Sequence, residues 1–470
     1  MHRFFPAFAA ALLAWGNVRA AGIEHSFWVW HRAAPLAPEE SAELARQEVR
    51  TLFWNVGELE QRGPVWRWKA PPLAWAAVAP QLRVVPVVRL AGGAGLPFAA
   101  EALPGLIEKL RAVATPAGEV QLDFDCPDRR LGEYAAALGE IRRTLPRVSI
   151  TALAHWPRLP DFAALTRSVT EISPMFYDLQ ADPKGVGAES PPPPILDPMP
   201  VASALRAWSA CPIPWRAGLP TFARLTVFDR HGASRGQIPN WTWEDFCFHK
   251  GLRTLAPTRL GVTLFRADAD TRVAATPVAA GEIVASRFTD RLALALAVAQ
   301  AHEAGATGVT FFRLPDATDP AGASLGDLGK LASPAAPHLI LRPTADGKLE
   351  LLNDSPFDLA PRLSGEKHDR DRGYALELDM PAPVFREALA GDFWRVASHI
   401  HPDAKAPKPV AVPLATRLTF WFGDLRAGAA RQTGLLQLAP EGTLAGVRYR
   451  ILHCAGAAEW QPILIPVTPP

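Results

Sequence analysis

The sequence predicts an α/β fold, a (β/α)8 barrel of the TIM type, and three observations carry that expectation. From about Ile23 to Pro315 one pattern recurs: a short apolar run, then polar residues, then a stretch with helical spacing. The apolar runs are near-continuous and do not alternate, as parallel strands covered on both faces require. There are eight of them, enough for the roughly 250-residue ring of eight strand–helix units.

The strands are expected at Ser26–His31, Thr51–Glu58, Arg83–Leu90, Glu119–Asp125, Val148–His155, Glu171–Asp178, Pro214–Pro220 and Gly308–Leu314. Helices are expected between them. Pro38–Val49 carries acids in its first turn, and Leu103–Val113 and Leu131–Leu145 place apolar residues at helical spacing. Thr289–Ala304 has Thr289 as its cap and stops at Gly305. A doubly wound open sheet competes with the barrel, but no Gly-rich dinucleotide turn follows the first strand.

Residues from about 221 to 288 exceed what one helix needs, so they read as a small insertion domain above the barrel mouth, between strands seven and eight. It holds the aromatic stretch Trp241–Phe248 and strand-like Leu260–Arg266, Arg272–Thr276 and Glu282–Phe288. Pro334 and Pro337 mark a boundary, which leaves the barrel at 22–334 and a second domain at 335–470. That domain has short strands at His338–Arg342, Leu349–Asn353, Tyr374–Leu378, Arg417–Phe422 and Arg448–His453, with Asp346-Gly347 as a hairpin turn. It reads as a β-sandwich bracing the barrel, without a clear aromatic platform for a glycan.

At the other end, residues 1–21 read as a secretory signal. His2 and Arg3 precede the apolar run Phe4–Trp15, and Val18 and Ala20 suit small-residue cleavage. Export to a periplasm or the cell exterior is the expectation. No later run reaches the roughly 18 apolar residues of a membrane span. Charge adds an exclusion: 49 Lys and Arg against 47 Asp and Glu leave +2, too little to mark a nucleic-acid partner. The four cysteines, Cys126, Cys211, Cys247 and Cys454, lack CxxC spacing. Cys211–Cys247 is one bridge they permit, and buried free thiols are the alternative.

In a barrel of this kind the chemistry gathers where the strands end. The expected rim residues are Trp30, His31, Asn55, Glu58, Arg89, Asp123, Asp125, His155, Trp156, Tyr177, Asp178, Trp215, Arg216, Arg313 and Asp316. Asp123 and Asp125, at i and i+2 of one strand, point to the same face. Two like charges in a partly buried mouth raise one acid toward neutrality, which makes a proton donor. Tyr177-Asp178 offers a hydroxyl and a second carboxylate. Asp125 is expected as general acid with Asp123 raising its proton affinity, Asp178 as nucleophile or base, and Tyr177 as the group that orients substrate. Trp30, Arg89, His155, Trp156, Trp215 and Arg313 are the expected substrate-binding residues, the tryptophans offering flat faces to sugar rings. Trp54 reads as core. Asp123, Asp125, His155 and His31 fit no metal-ligand spacing, and Ala91-Gly92-Gly93-Ala94-Gly95 fits no nucleotide loop, so no metal and no cofactor are expected.

These motifs resemble the chitinase-like glycoside hydrolases of family eighteen. Ala91-Gly92-Gly93, Asp123-Phe124-Asp125, Met175-Phe176-Tyr177-Asp178 and Gly218-Leu219-Pro220-Thr221-Phe222 occur in the order of that family's strand-three, four, six and seven motifs. The whole chain is also similar to an exported bacterial barrel family carried as a domain of unknown function. The resemblance implies a glycan or polysaccharide substrate and carries Asp123, Asp125, Tyr177 and Asp178 over as site residues. It also exposes two departures: the motif's first acid falls on Val120 and its catalytic glutamate on Pro127. Three expectations follow. The chain is a glycosidase built on paired carboxylates, a lectin-like barrel without turnover, or an assembly factor for an envelope polysaccharide.

Overall fold

The computed structural model describes residues 23–91, 98–315, 322–331, 338–361, 363, 373–400, 408–438, 444, 446–454 and 459–463. The expected signal segment, Gly92-Gly93, Asp316 and the expected boundary prolines Pro334 and Pro337 lie outside these residues. The chain forms two compact units. One runs to Ala181 and takes in Pro193–Phe222 and Phe288–Pro315; the other joins Asp182–Pro192, Ala223–Arg287 and the described residues beyond Pro315.

The first unit is a closed barrel. Its parallel strands are Glu24–Val29, Thr51–Arg62, Arg83–Ala91, Glu119–Asp123, Arg147–Leu153, Glu171–Met175, Arg216–Pro220 and Gly308–Phe312. Each pairs with its neighbour in chain order. The ring shuts where Glu24–Val29 lies between Gly308–Phe312 and Thr51–Arg62, with Trp28 opposite both Phe312 and Phe53. All eight expected strands are present. Their bounds all shift: the first runs Glu24–Val29, the second and third extend to Arg62 and Ala91, the fourth stops at Asp123, the fifth runs Arg147–Leu153, the sixth and eighth stop at Met175 and Phe312, and the seventh starts at Arg216. The second strand overruns its barrel partners and turns back as a hairpin with Val65–Trp68.

Helices cover the ring. Pro38–Arg46 starts with Pro38 and a reciprocal bond from the Ala37 amide to Glu40 at 2.8 Å. Leu103–Val113 buries Leu106, Leu110 and Val113, and Leu131–Thr144 buries Leu131, Leu138 and Ile141. Arg291–Glu303 is capped by Asp290, whose carboxylate accepts from the Ala293 amide at 2.9 Å. Thr289, the expected cap, instead donates its hydroxyl to the Phe222 carbonyl. Two further helices, Phe162–Arg167 and Pro198–Trp208, were not anticipated; the second carries the plain signature of an Asp197 cap followed by proline.

The barrel interior is packed. Trp28 donates its indole N–H to Gln121 at 2.7 Å, and Gln121 reaches Ser173 at 3.3 Å and Ser149 at 3.5 Å. Trp28 fits because Gly218 faces it: a Cβ there would meet the indole Cη2 at 2.7 Å. At the opposite end from the mouth, Arg216 donates to Glu24 at 2.7 Å and to Glu171 at 2.9 Å. Next to them Arg83 pairs with Glu119.

The second unit is antiparallel. The segment expected as a separate insertion domain folds instead into one unit with the C-terminal strands. Its five-stranded sheet runs Ser234–Ile238, Ala223–Phe228, Ile283–Phe288, Val262–Ala267, Leu252–Arg259. Its helix Trp243–Cys247 packs against Gly423, and Phe248 stacks on Trp394, with Arg431 bonded to Glu244. The C-terminal strands form a six-stranded sheet, Lys408–Pro409, Arg395–Ile400, Arg417–Phe422, Tyr374–Asp379, Arg448–Leu452 and Gln461–Pro462, besides sheets of three and two strands. Leu376, Leu378, Leu418, Phe420 and Ile451 build its core. On the other face Asp379 holds Arg417 and Arg448, and Trp460 lies 4.4 to 5.4 Å from the guanidinium groups of Arg417, Arg448 and Arg450. The hairpin expected at Asp346-Gly347 joins Leu339–Pro343 to Leu349–Asn353, with Gly347 at φ 78°. None of the four cysteines is in a disulfide, so Cys211 and Cys247 are not bridged.

Candidate active site at the barrel mouth

Strand parity brings the expected carboxylates to the mouth. Gln121 points into the barrel, so Asp123, two residues on, points the same way at the strand's end. Phe124, between the two aspartates, turns outward to Phe98 and Tyr134, with ring centroids at 5.3 and 5.4 Å. Asp125 follows beyond the strand, exposed to solvent and within electrostatic reach of Asp123 and Tyr177.

The two acids therefore differ in environment. Burial, above all, pushes the Asp123 carboxyl above its ordinary range. A 2.8 Å hydrogen bond donated by Thr151 works against this, and the Asp125 charge adds to it. Asp123 is the more buried of the two, because the strand ends there and Asp125, the acid expected to be the proton donor, stands exposed beyond it.

Tyr177 and Asp178 follow the sixth strand. The Tyr177 ring stacks on Phe312 at 5.9 Å and meets Phe222 edge-on at 5.9 Å. Burial first, then the charges of Asp123, Asp178 and Asp125, hold its phenol well above the ordinary value, so it stays a hydrogen-bond donor. Those three carboxylates thus lie within electrostatic reach of one hydroxyl. Asp178 is exposed and adopts a left-handed φ of 51°, pinned by its amide donating to the Ile195 carbonyl at 2.9 Å. Non-glycine residues hold such backbone only where their surroundings impose it.

The basic and aromatic residues divide. Trp30 is half-buried at the end of the first strand, 5.8 Å from Phe312, and presents the mouth with an aromatic wall. Arg89, near the end of the third strand, is exposed and lies in register between Glu58 and Asp123. Arg313 follows the eighth strand, its carbonyl accepting from the Thr221 hydroxyl at 2.7 Å. His31 has φ 56°, and burial, then the charges of Arg313 and Arg89, hold its imidazole below the ordinary value.

Other expected rim residues lie elsewhere. Trp156 is fully buried in the turn Trp156–Arg158, and Trp215 is 2% exposed against Trp208 and Phe176. Neither can offer a face to a sugar. Trp215 and Arg216 begin their strand, so they stand at the end of the barrel away from the mouth. His155 is exposed past the fifth strand and pairs with Asp128 at 2.8 Å. Trp54 is core, its indole donating to the Arg32 carbonyl. Sequence reasoning missed Thr151, Phe222 and Phe312. The inward parity of strands five and eight was the available signal for Thr151 and Phe312. Among the described residues no group of three His, Cys, Asp or Glu stands together as a metal site, and no helix is long and apolar enough to cross a membrane.

No family model and no curated protein matches the chain. Solved structures similar to it include a chitinase from Chromobacterium violaceum, at 12% identity and TM-score 0.44, covering 64% of this chain and 97% of that one. A family 18 N-acetylglucosaminidase from Paenibacillus barengoltzii is 15% identical, with TM-score 0.41, over 62% of this chain and 95% of its own. The spore cortex-lytic enzyme of Bacillus megaterium is 15% identical, with TM-score 0.42, over 63% and 72%. Likeness at this level does not extend to chemistry.

Proposed function

We propose that the barrel mouth hydrolyses a glycosidic bond, with Asp123 as the acid that protonates the leaving oxygen. The observation that supports this is that Asp123, Asp125 and Asp178, at or just past the C-terminal ends of strands of one closed barrel, all lie within electrostatic reach of the Tyr177 phenol. Most glycosidases need one carboxyl that holds a proton and a second that acts as base or nucleophile. Burial supplies the first at Asp123. Asp178, exposed beside Tyr177, is assigned the second role, and Tyr177 donates a hydrogen bond to the sugar. Trp30 and Phe312 provide the apolar wall on which a ring packs. We assign residues 1–21 to export, on the basic start and short apolar run that open the chain.

Asp123→Asn removes the proton while keeping shape and tests the assignment. Turnover of a cleaved oligosaccharide is expected to fall at least a hundredfold, the usual size of a general-acid contribution. Full activity in that variant would end it. A second reading, a glycan-binding barrel without turnover, is favoured by Pro127, which stands where the resembled family places its proton donor. Binding with no product from the wild type would select it.

A further inference from the structure

The rim is polarised around the ring. The carboxylates Asp123, Asp125 and Asp178 follow strands four and six, while the basic groups belong to strands eight, one and three: Arg313, His31 and Arg89. Strands eight, one, two and three are consecutive in the closed sheet, so the basic groups share one arc. Among the described residues the rim acid on that arc is Glu58, which is bound to Lys69 at 2.7 Å.

Arg89 is the informative residue. It has the parity of Val85 and Val87, which pack inside the barrel with Trp28 and Phe53, so its side chain starts toward the mouth. Register sets it between two acids, yet among the described residues none lies within ion-pairing distance of its guanidinium. Glu58 is held by Lys69 and Asp123 by Thr151. His31 lies within electrostatic reach of both Arg89 and Arg313. An exposed arginine flanked by two acids and bonded to neither is disposed toward a third anion that comes with the ligand.

We infer that the glycan this mouth takes is acidic, with a sugar carboxylate or sulfate received by Arg89 and flanked by His31 and Arg313. The planar guanidinium fork suits two oxygens of either group. A neutral sugar would offer the Arg89 guanidinium no anion. The inference rests on the mouth being a glycan site and adds the charge of what it binds.

An array of matched glycans tests it with the full chain: uronic-acid oligomers beside their carboxyl-reduced counterparts, and sulfated beside desulfated ones. Titration calorimetry of the tightest pair then gives affinities. The acidic member is expected to bind about tenfold tighter at low salt, with the difference shrinking as salt rises. Arg89→Gln is expected to remove most of that difference, and Arg89→Lys to restore part of it. Dependence on the carboxylate set alone, or on the sulfated set alone, identifies the anion. Equal binding within every pair, or an Arg89→Gln loss that is the same for both members, overturns the inference while leaving the glycan site standing. No binding anywhere on the array overturns the glycan reading itself.

Discussion

Replacing Arg216 with methionine should destabilise the barrel by about 3 kcal/mol at neutral pH. The guanidinium is 6% exposed and holds two carboxylates, Glu24 and Glu171, which are 33% and 17% exposed. Removing one partner of a buried ion pair costs roughly 3–5 kcal/mol, chiefly because the other charge is stranded. Glu24 reaches water, which screens it and places the expectation at the low end of that range. For a unit of this size, about 3 kcal/mol corresponds to roughly 6–12 °C in Tm. Denaturant unfolding followed by tryptophan fluorescence reads the loss, and scanning calorimetry reads the shift. The pH dependence is a second check. Burial raises the Glu24 carboxyl, but the hydrogen bond and charge of Arg216 outweigh it and hold the group below its ordinary value. A depressed carboxyl contributes stability that is present above its unfolded value and lost as pH falls through the folded one. The gap between wild type and variant should therefore narrow on acidification below about pH 4. A variant within about 0.5 kcal/mol of wild type at pH 7, or a gap that widens in acid, would refute the reasoning.

The remaining predictions concern the mouth and the core beneath it. Thr151→Val removes the 2.8 Å hydrogen bond that favours the ionised Asp123. The carboxyl should rise further, and the alkaline limb of the pH–rate profile should move up; a limb that stays or moves down counts against Asp123 as the acid. Gly218→Ala puts a methyl 2.7 Å from the Trp28 ring and 2.9 Å from the Pro174 carbonyl, so unfolding should show a loss of about 1–3 kcal/mol. No loss would mean that Trp28 has room to move.

The ring of strands was legible because buried parallel strands declare themselves by composition, and every one of the eight apolar runs marks a real strand. Their ends were less so. Glu119–Asp125 reads as one strand since Phe124 continues the apolar pattern, yet Phe124 is buried outside the sheet by Phe98 and Tyr134. Two residues of overrun were enough to give Asp125 the environment that belongs to Asp123. The tryptophans misled for another reason: an indole suits a sugar and a helix–strand interface equally well, and nothing local separates Trp30 from Trp156 or Trp215. Direction along the strand separates only Trp215, which precedes its strand, from Trp30, which follows one; Trp156 also follows a strand and differs from Trp30 in being fully buried. Thr151 and Phe312 were hidden in apolar runs whose inward parity becomes apparent only once the barrel closes. The joining of the insertion to the C-terminal strands depends on contacts such as Phe248 with Trp394, far apart in the chain.

The tie between Arg216 and its two glutamates also closes one end of the barrel. With that end locked and Trp28 filling the bore above it, the ring has no passage along its axis. A polymer of the kind proposed for the mouth would therefore have to lie across the opening or dip one end in, and a released piece would have to leave by the way it came.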